Sequence, residues 1–159
     1  MWKDIEKSSN REEDYEMLLK QLQALSEGVS YQITVLSNAA ALLYDFLEDI
    51  NWAGFYLTSG NELLLGPFQG KPACTNIPIG KGVCGSALAT KSTQRVADVH
   101  KFPGHIACDG ASNSELVIPL MCDGECIGVL DIDSPVFGRF DEVDQYYLEQ
   151  FACLVVSYL

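Results

Sequence analysis

Two amphipathic helical stripes, then short strands joined by hairpin turns, then a closing helix predict an α+β domain. Its N-terminal and C-terminal helices pack on one face of a central, mostly antiparallel sheet. From Asp14 to Glu27 apolar side chains fall at Tyr15, Leu18, Leu19, Leu22 and Leu25, the spacing of a helix with one buried stripe, and Gly28 supplies a stop. Ser30 is a candidate cap for a second helix with Ile33, Leu36, Ala40, Leu43 and Leu47 on its inner face. At Asn51 the period changes. Trp52 to Thr58 and Glu62 to Phe68 flank Ser59-Gly60-Asn61 and read as a hairpin. A short strand near Ile77, a short helix opened by Gly80 to Gly85 and ending near Lys91, and a brief strand at Gln94 to Val96 follow. Asp98 to Asn113 lacks periodicity and is long for a structureless connection, and such loops are usually functional or disordered. Glu115 to Cys122 and Glu125 to Asp133 flank Asp123-Gly124, the residue pair a type I′ turn prefers. From about Asp141, Val143, Tyr147, Phe151, Leu154 and Val155 mark the last helix.

A chain of 159 residues fits one domain spanning 1–159, large enough to fold on its own core. No apolar run nears the ~20 residues of a membrane span, and the charged stretch MWKDIEKSSNREEDYE is unlike a signal peptide. A cytoplasmic protein is expected. A net charge of −12 with ten scattered basic residues argues against nucleic acid and anionic membrane surfaces as partners, and suits a zwitterionic or cationic small ligand. The two N-terminal helices serve either to pair subunits in a homodimer or to cover the sheet.

Six cysteines in a reducing compartment are buried hydrophobes, metal ligands or redox groups. Cys122 and Cys126 flank the Asp123-Gly124 turn and read as packing residues rather than a cross-strand pair. Cys153, near the apolar stripe of the closing helix, reads as buried. Cys74, Cys84 and Cys108 fall in loops or at a helix start. Cys84 sits where a helix dipole favours thiolate, while Cys108 has His105 to favour a thiolate and Asp109 to oppose it. Position alone leaves redox and structural roles open for these three. The cysteines offer no close C-x₂₋₄-C pair of the zinc type outside the hairpin turn, so no metal site is expected, and His100 and His105 read as solvated loop residues.

Asp131 and Asp133, two apart on one strand, share a face, and the hairpin brings Glu115 near them. Three converging carboxylates are unfavourable unless protons or a cation relieve them; the alternative is a solvated strand end. A ligand ammonium matches the cluster, and Trp52 and Tyr56 could line the same pocket or serve as core. Gly80-Lys-Gly-Val-Cys-Gly85 lacks the G-x₄-G-K-[ST] pattern of a phosphate loop.

Six segments, Asn51-Trp-Ala-Gly-Phe-Tyr56, Leu65 to Cys74, Gly80 to Gly85, His105-Ile-Ala-Cys-Asp109, Ser114 to Pro119 and Gly128 to Ser134, together resemble the GAF-domain family of free methionine-(R)-sulfoxide reductases. The resemblance spans nearly the whole chain. It implies a GAF-like fold, free methionine-(R)-S-oxide as substrate and thioredoxin as external reductant, with no bound cofactor. By that match Cys108 is the attacking thiol, and Cys74 and Cys84 supply the resolving thiol. Glu115, Asp131 and Asp133 bind substrate or handle protons, and Trp52 and Tyr56 form the pocket wall. Two other readings compete: a GAF-like sensor that binds a small molecule without turnover, and an interaction protein held by zinc or disulfides.

Overall fold

The computed structural model describes residues 7–106 and 108–159. The first six residues of the charged N-terminal stretch, and Ala107 within the Cys108 segment, lie outside the described residues. Helix α1 (Arg11–Ser26) starts at Asn10, whose side-chain oxygen accepts the Glu12 N–H at 3.0 Å, a cap contributing about 1 kcal/mol. It buries Tyr15, Leu18 and Leu22, and ends before Gly28.

Helix α2 (Gln32–Phe46) corrects one expectation. Tyr31, not Ser30, is its cap residue and offers no side-chain bond, so burial of the helix face, rather than a cap, stabilises it. Leu36, Ala40, Leu43 and Leu47 are buried as expected, but Ile33 is 62% exposed: it shares their angular face, yet its first turn lies beyond the covered part of the stripe.

Six strands follow: β1 (Trp52–Ser59), β2 (Glu62–Gly70), β3 (Asn76–Pro78), then after helix α3 (Gly82–Thr90) β4 (Gln94–Val96), β5 (Ser114–Cys122) and β6 (Glu125–Ser134). They form one sheet in the order β3-β2-β1-β6-β5-β4 with every neighbouring pair antiparallel. Asp123 and Gly124 both have positive φ, 49° and 82°, as a type I′ turn requires. The aperiodic stretch before β5 contains one 3-10 turn, Val99–Lys101. Helix α4 (Glu142–Val156) closes the chain with a capping box at Asp141.

One face of the sheet carries α1, α2 and α4 over a core that includes Leu22, Leu43, Phe55, Leu116, Leu130 and Phe151, each fully buried and each contributing roughly 1.5–3 kcal/mol. Covering the sheet is thus the use that α2 finds for its stripe. Asp144, buried at the start of α4, clasps this layer: it accepts the Tyr15 hydroxyl at 2.5 Å and Arg139 Nη1 at 3.1 Å, and pairs with Arg11. The opposite face carries only α3, over a smaller cluster of Trp52, Tyr56, Ile77, Val83, Ala87, Leu88, Val117 and Val129.

The remaining cysteines divide. Cys126 is buried and its thiol donates to Gly128 O, while Cys122 pairs in register with Glu125, so the two thiols do not face each other. Cys153 is exposed, against expectation. On the helical wheel it stands about 200° from both Phe151 and Val155, which places it on the outer side of α4.

Candidate active site

Strand register does the first part of the assembly. Glu115 pairs with Asp133 and Val117 with Asp131 across β5 and β6, while Asp133 faces Trp52 and Asp131 faces Gly54 across β6 and β1. Directly opposed residues share a face, so Trp52, Tyr56, Glu115, Asp131 and Asp133 all project toward α3. Gly54 makes room for this row: a Cβ there would stand 2.3 Å from Phe68 Cβ and 2.8 Å from the Trp52 ring. Trp52 is free to stack between Phe68 and Tyr56, with ring centroids 5.2 and 5.9 Å away.

Two loops then close over the acids. The β2–β3 loop carries Cys74 and is braced from below, the Trp52 indole N–H donating to Lys71 O and the Tyr56 hydroxyl to Cys74 O, both at 3.1 Å. These two aromatics are therefore loop supports as well as pocket wall. The loop before β5 carries Cys108. Its neighbour Asp109 accepts from Ala111 N at 3.0 Å and Asn51 Nδ2 at 3.3 Å and pairs with Lys71 at 3.5 Å, while Asn51 Nδ2 also donates to Ser112 Oγ. Cys74 and Cys108 are joined as a disulfide with Cα atoms 5.7 Å apart. Sequence left Cys74 and Cys84 as equal candidates to meet Cys108; in this state Cys74 is the partner and Cys84 is a free, buried thiol.

Beneath the disulfide lies a cavity of about 30 Å³ lined by Cys84, His105, Cys108, Glu115, Asp131 and Asp133 among others. A second hollow of about 10 Å³ is lined by Trp52, Tyr56, Cys108, Asp131 and Asp133. Cys108, Asp109, Asp131 and Asp133 border both. Sequence reading gave no role to Asn51, Lys71 and Ser112, although Asn51 and Lys71 lie within the segments that carry the family resemblance. It also placed His105 in solvent, whereas His105 lines the cavity and burial lowers its pKa, leaving it a poor source of positive charge for Cys108.

The acids are not a solvated strand end. Glu115 and Asp131 are each 6% exposed. Desolvation, then the charges of Asp131 and Asp133, push Glu115 well above the usual carboxyl range; burial pushes Asp131 up to about 6 and also raises Asp133. Cys84 reverses its expected character. A helix dipole is worth about 0.3–1 kcal/mol, less than one pKa unit, whereas full burial moves a group by up to about 3–5 units. Desolvation, Asp131 and Glu115 raise its pKa, so it is a thiol, 3.8 Å from Glu115 Oε1. Asp109, by contrast, is held below the usual range by the Ala111 N–H, Asn51 and Lys71, and stays ionised. The site thus holds protons at its floor beside the Cys74–Cys108 bridge. Cys84, Glu115 and Asp131 are also the residues placed to hold a metal ion.

A six-stranded antiparallel sheet with helix α3 over an acidic site defines the class, and the GAF domain family matches residues 32–158. The free methionine-R-sulfoxide reductase of Escherichia coli is 55% identical over 141 residues, covering 89% of this chain and 86% of that protein. Its Saccharomyces cerevisiae counterpart is 50% identical over 154 residues, covering 92% and 86%. The Neisseria meningitidis free methionine-R-sulfoxide reductase, solved in complex with its substrate, superposes with a TM-score of 0.94 at 41% identity, covering 99% of this chain and 95% of that one. The chain belongs to the GAF-domain family of free methionine-R-sulfoxide reductases.

Proposed function

We propose that this chain reduces free L-methionine (R)-S-oxide to L-methionine through Cys108, with Cys74 as the resolving thiol. The observation that carries this reading is the Cys74–Cys108 bridge laid over three carboxyl groups whose pKa values are raised. In the reduced enzyme the Cys108 thiolate attacks the sulfoxide sulfur. A sulfoxide oxygen is a poor leaving group until protonated, and a neutral Glu115 beside Asp131 supplies that proton. The S–O bond breaks and the oxygen leaves as water, giving a sulfur–sulfur adduct. That water then attacks the Cys108 sulfur, the S–S bond breaks, methionine departs as the thioether, and Cys108 is left as a sulfenic acid, its proton passing to the carboxylate of Glu115. Cys74 then displaces hydroxide from that sulfur, releasing water and forming the disulfide, which an external dithiol of the thioredoxin type reopens by exchange. Asp133 and the ionised fraction of Asp131 face the substrate ammonium, with the Trp52 and Tyr56 rings as wall. Cys84, buried and protonated, is an auxiliary thiol rather than the first resolving group. Four free cysteines beside a single bridge fit a reducing compartment, the cytoplasm, and no helix among the described residues is long and apolar enough to cross a membrane.

The test is a single turnover without reductant followed by a disulfide map. Free methionine (R)-sulfoxide yields one methionine per chain and a Cys74–Cys108 bridge, and peptide-bound sulfoxide yields neither. Full turnover by Cys108→Ser, with dithiol in excess, would overturn the assignment.

A further inference from the structure

We propose that the floor of this site is also a binding site for a single thiophilic divalent cation of the Zn²⁺ or Co²⁺ kind, held by Cys84, Glu115 and Asp131. These three residues come from α3, β5 and β6, and their sequence spacing resembles no metal motif. The fold nevertheless brings one ligand atom of each to within 4.8 Å of the others, all buried. A Zn–S bond of about 2.3 Å and a Zn–O bond of about 2.1 Å allow sulfur and oxygen ligands of one ion to stand at most about 4.4 Å apart. Cys84 Sγ and Glu115 Oε1, at 3.8 Å, already meet that limit, and the remaining separations need only small side-chain rotations.

A second observation points to a missing ligand. Asp131 Oδ1 is buried and accepts no hydrogen bond from a backbone N–H or a hydroxyl, and its side chain lines the cavity. A buried carboxylate oxygen left unpaired costs roughly 1–3 kcal/mol, so the empty floor holds an unsatisfied acceptor. The cavity, about 30 Å³, has room for an ion with one or two waters but not for an amino acid. Asp133 lines the same space and can add a further oxygen or orient a bound water.

The donor set selects the metal. One sulfur and two or three carboxylate oxygens in a tight, dry pocket suit four-coordinate Zn²⁺ or Co²⁺. Mg²⁺ demands near-octahedral oxygen ligands with several retained waters, and the pocket cannot supply that shell. On binding, the Cys84 S–H bond is exchanged for an S–metal bond, with the proton released to solvent; no oxidation or reduction occurs. The cation stands where the proposed reaction needs neutral acid and ammonium-binding oxygens. Metal binding therefore blocks turnover, and that consequence alone rests on the reductase reading.

Binding is tested on the full chain in its disulfide form, by titration with Co²⁺ alone, so no turnover is involved. One Co²⁺ per chain binds and produces a sulfur-to-cobalt charge-transfer absorption. Zn²⁺ displaces it, and Mg²⁺ in large excess does not. Cys84→Ser abolishes the absorption, while Cys153→Ser, on the outer face of α4, keeps it. Because Cys84→Ser alters a buried position, Asp131→Asn, which retains every thiol, provides the second arm and weakens Co²⁺ binding at least tenfold. A charge-transfer absorption that survives Cys84→Ser, unchanged affinity in Asp131→Asn, or displacement of Co²⁺ by Mg²⁺ overturns the proposal. Absence of methionine production by metal-free wild-type enzyme with dithiol in excess would instead count against the reductase reading and leave the Co²⁺ result standing.

Discussion

Replacing Asp131 with Asn should stabilise the folded chain at neutral pH while disabling it. Asp131 is fully enclosed, and its carboxyl is raised from 3.8 to about 6. An acid whose folded pKa lies above its unfolded value binds its proton more tightly when folded. The folded state therefore has its full advantage below about pH 4, loses it as pH climbs through the interval up to about 6, and lacks it at pH 7. At about 1.36 kcal/mol per unit, the ionised side chain costs about 3 kcal/mol at neutral pH. Asn keeps the shape and removes the charge. For a domain of this size that corresponds to a rise of roughly 6–12 °C in Tm near pH 7.5. The assay is thermal or urea unfolding of wild type and Asp131→Asn across about pH 4.5 to 8. The two curves should diverge as pH rises, wild type falling away from the variant, while methionine sulfoxide turnover of the variant collapses at every pH. A variant no more stable than wild type at pH 7.5, with the same slope against pH, would refute the claim that burial costs this carboxylate more than its hydrogen bonds with Cys84 and Glu115 return.

Three further outcomes follow from the same structure. Glu115, whose pKa is raised, donates its proton only below that pKa, so kcat should decline as pH climbs through it; Glu115→Gln should lower kcat about 10²–10⁴-fold and erase that limb of the pH–rate profile. Asp144→Ala leaves Arg11, Arg139 and Tyr15 without their shared acceptor and should cost about 3 kcal/mol in urea unfolding, at the low end for a broken buried pair because both guanidiniums reach solvent. Gly54→Ala should destabilise by about 1–3 kcal/mol and shift Trp52 fluorescence, because the added methyl cannot coexist with the Phe68–Trp52 stack; an unchanged spectrum would show that the stack does not depend on this glycine.

Much of this architecture can be read from the chain because it is local. Asp123-Gly124 sets the hairpin, but counting outward from it would place Glu115 opposite Ile132; a register shift between Leu120 and Met121 moves the pairing by one residue and brings Glu115 opposite Asp133 and Val117 opposite Asp131. What could not be read is loop placement. Nothing in the interval between Cys74 and Cys108 tells that two connections on different strands arch over the same spot, nor that Asn51 ties one of them down. Cys84 shows the other limit. Its position in the first turn of α3 is local and legible, but its protonation depends on the carboxyls gathered beneath it from β5 and β6, which only the fold brings there. Cys153 was a misjudged phase rather than a hidden fact, since the wheel positions of Phe151 and Val155 already turn it outward.

The bridge across the acidic hollow has a kinetic corollary. With Cys108 bordering two chambers of about 30 and 10 Å³, the oxidised chain has no berth for another molecule of methionine sulfoxide. Under the proposed mechanism substrate and reductant then alternate on one enzyme, a ping-pong cycle. On that reading saturating sulfoxide does not clog the form that waits for electrons, and at low dithiol the rate at high sulfoxide is set by how fast the dithiol arrives.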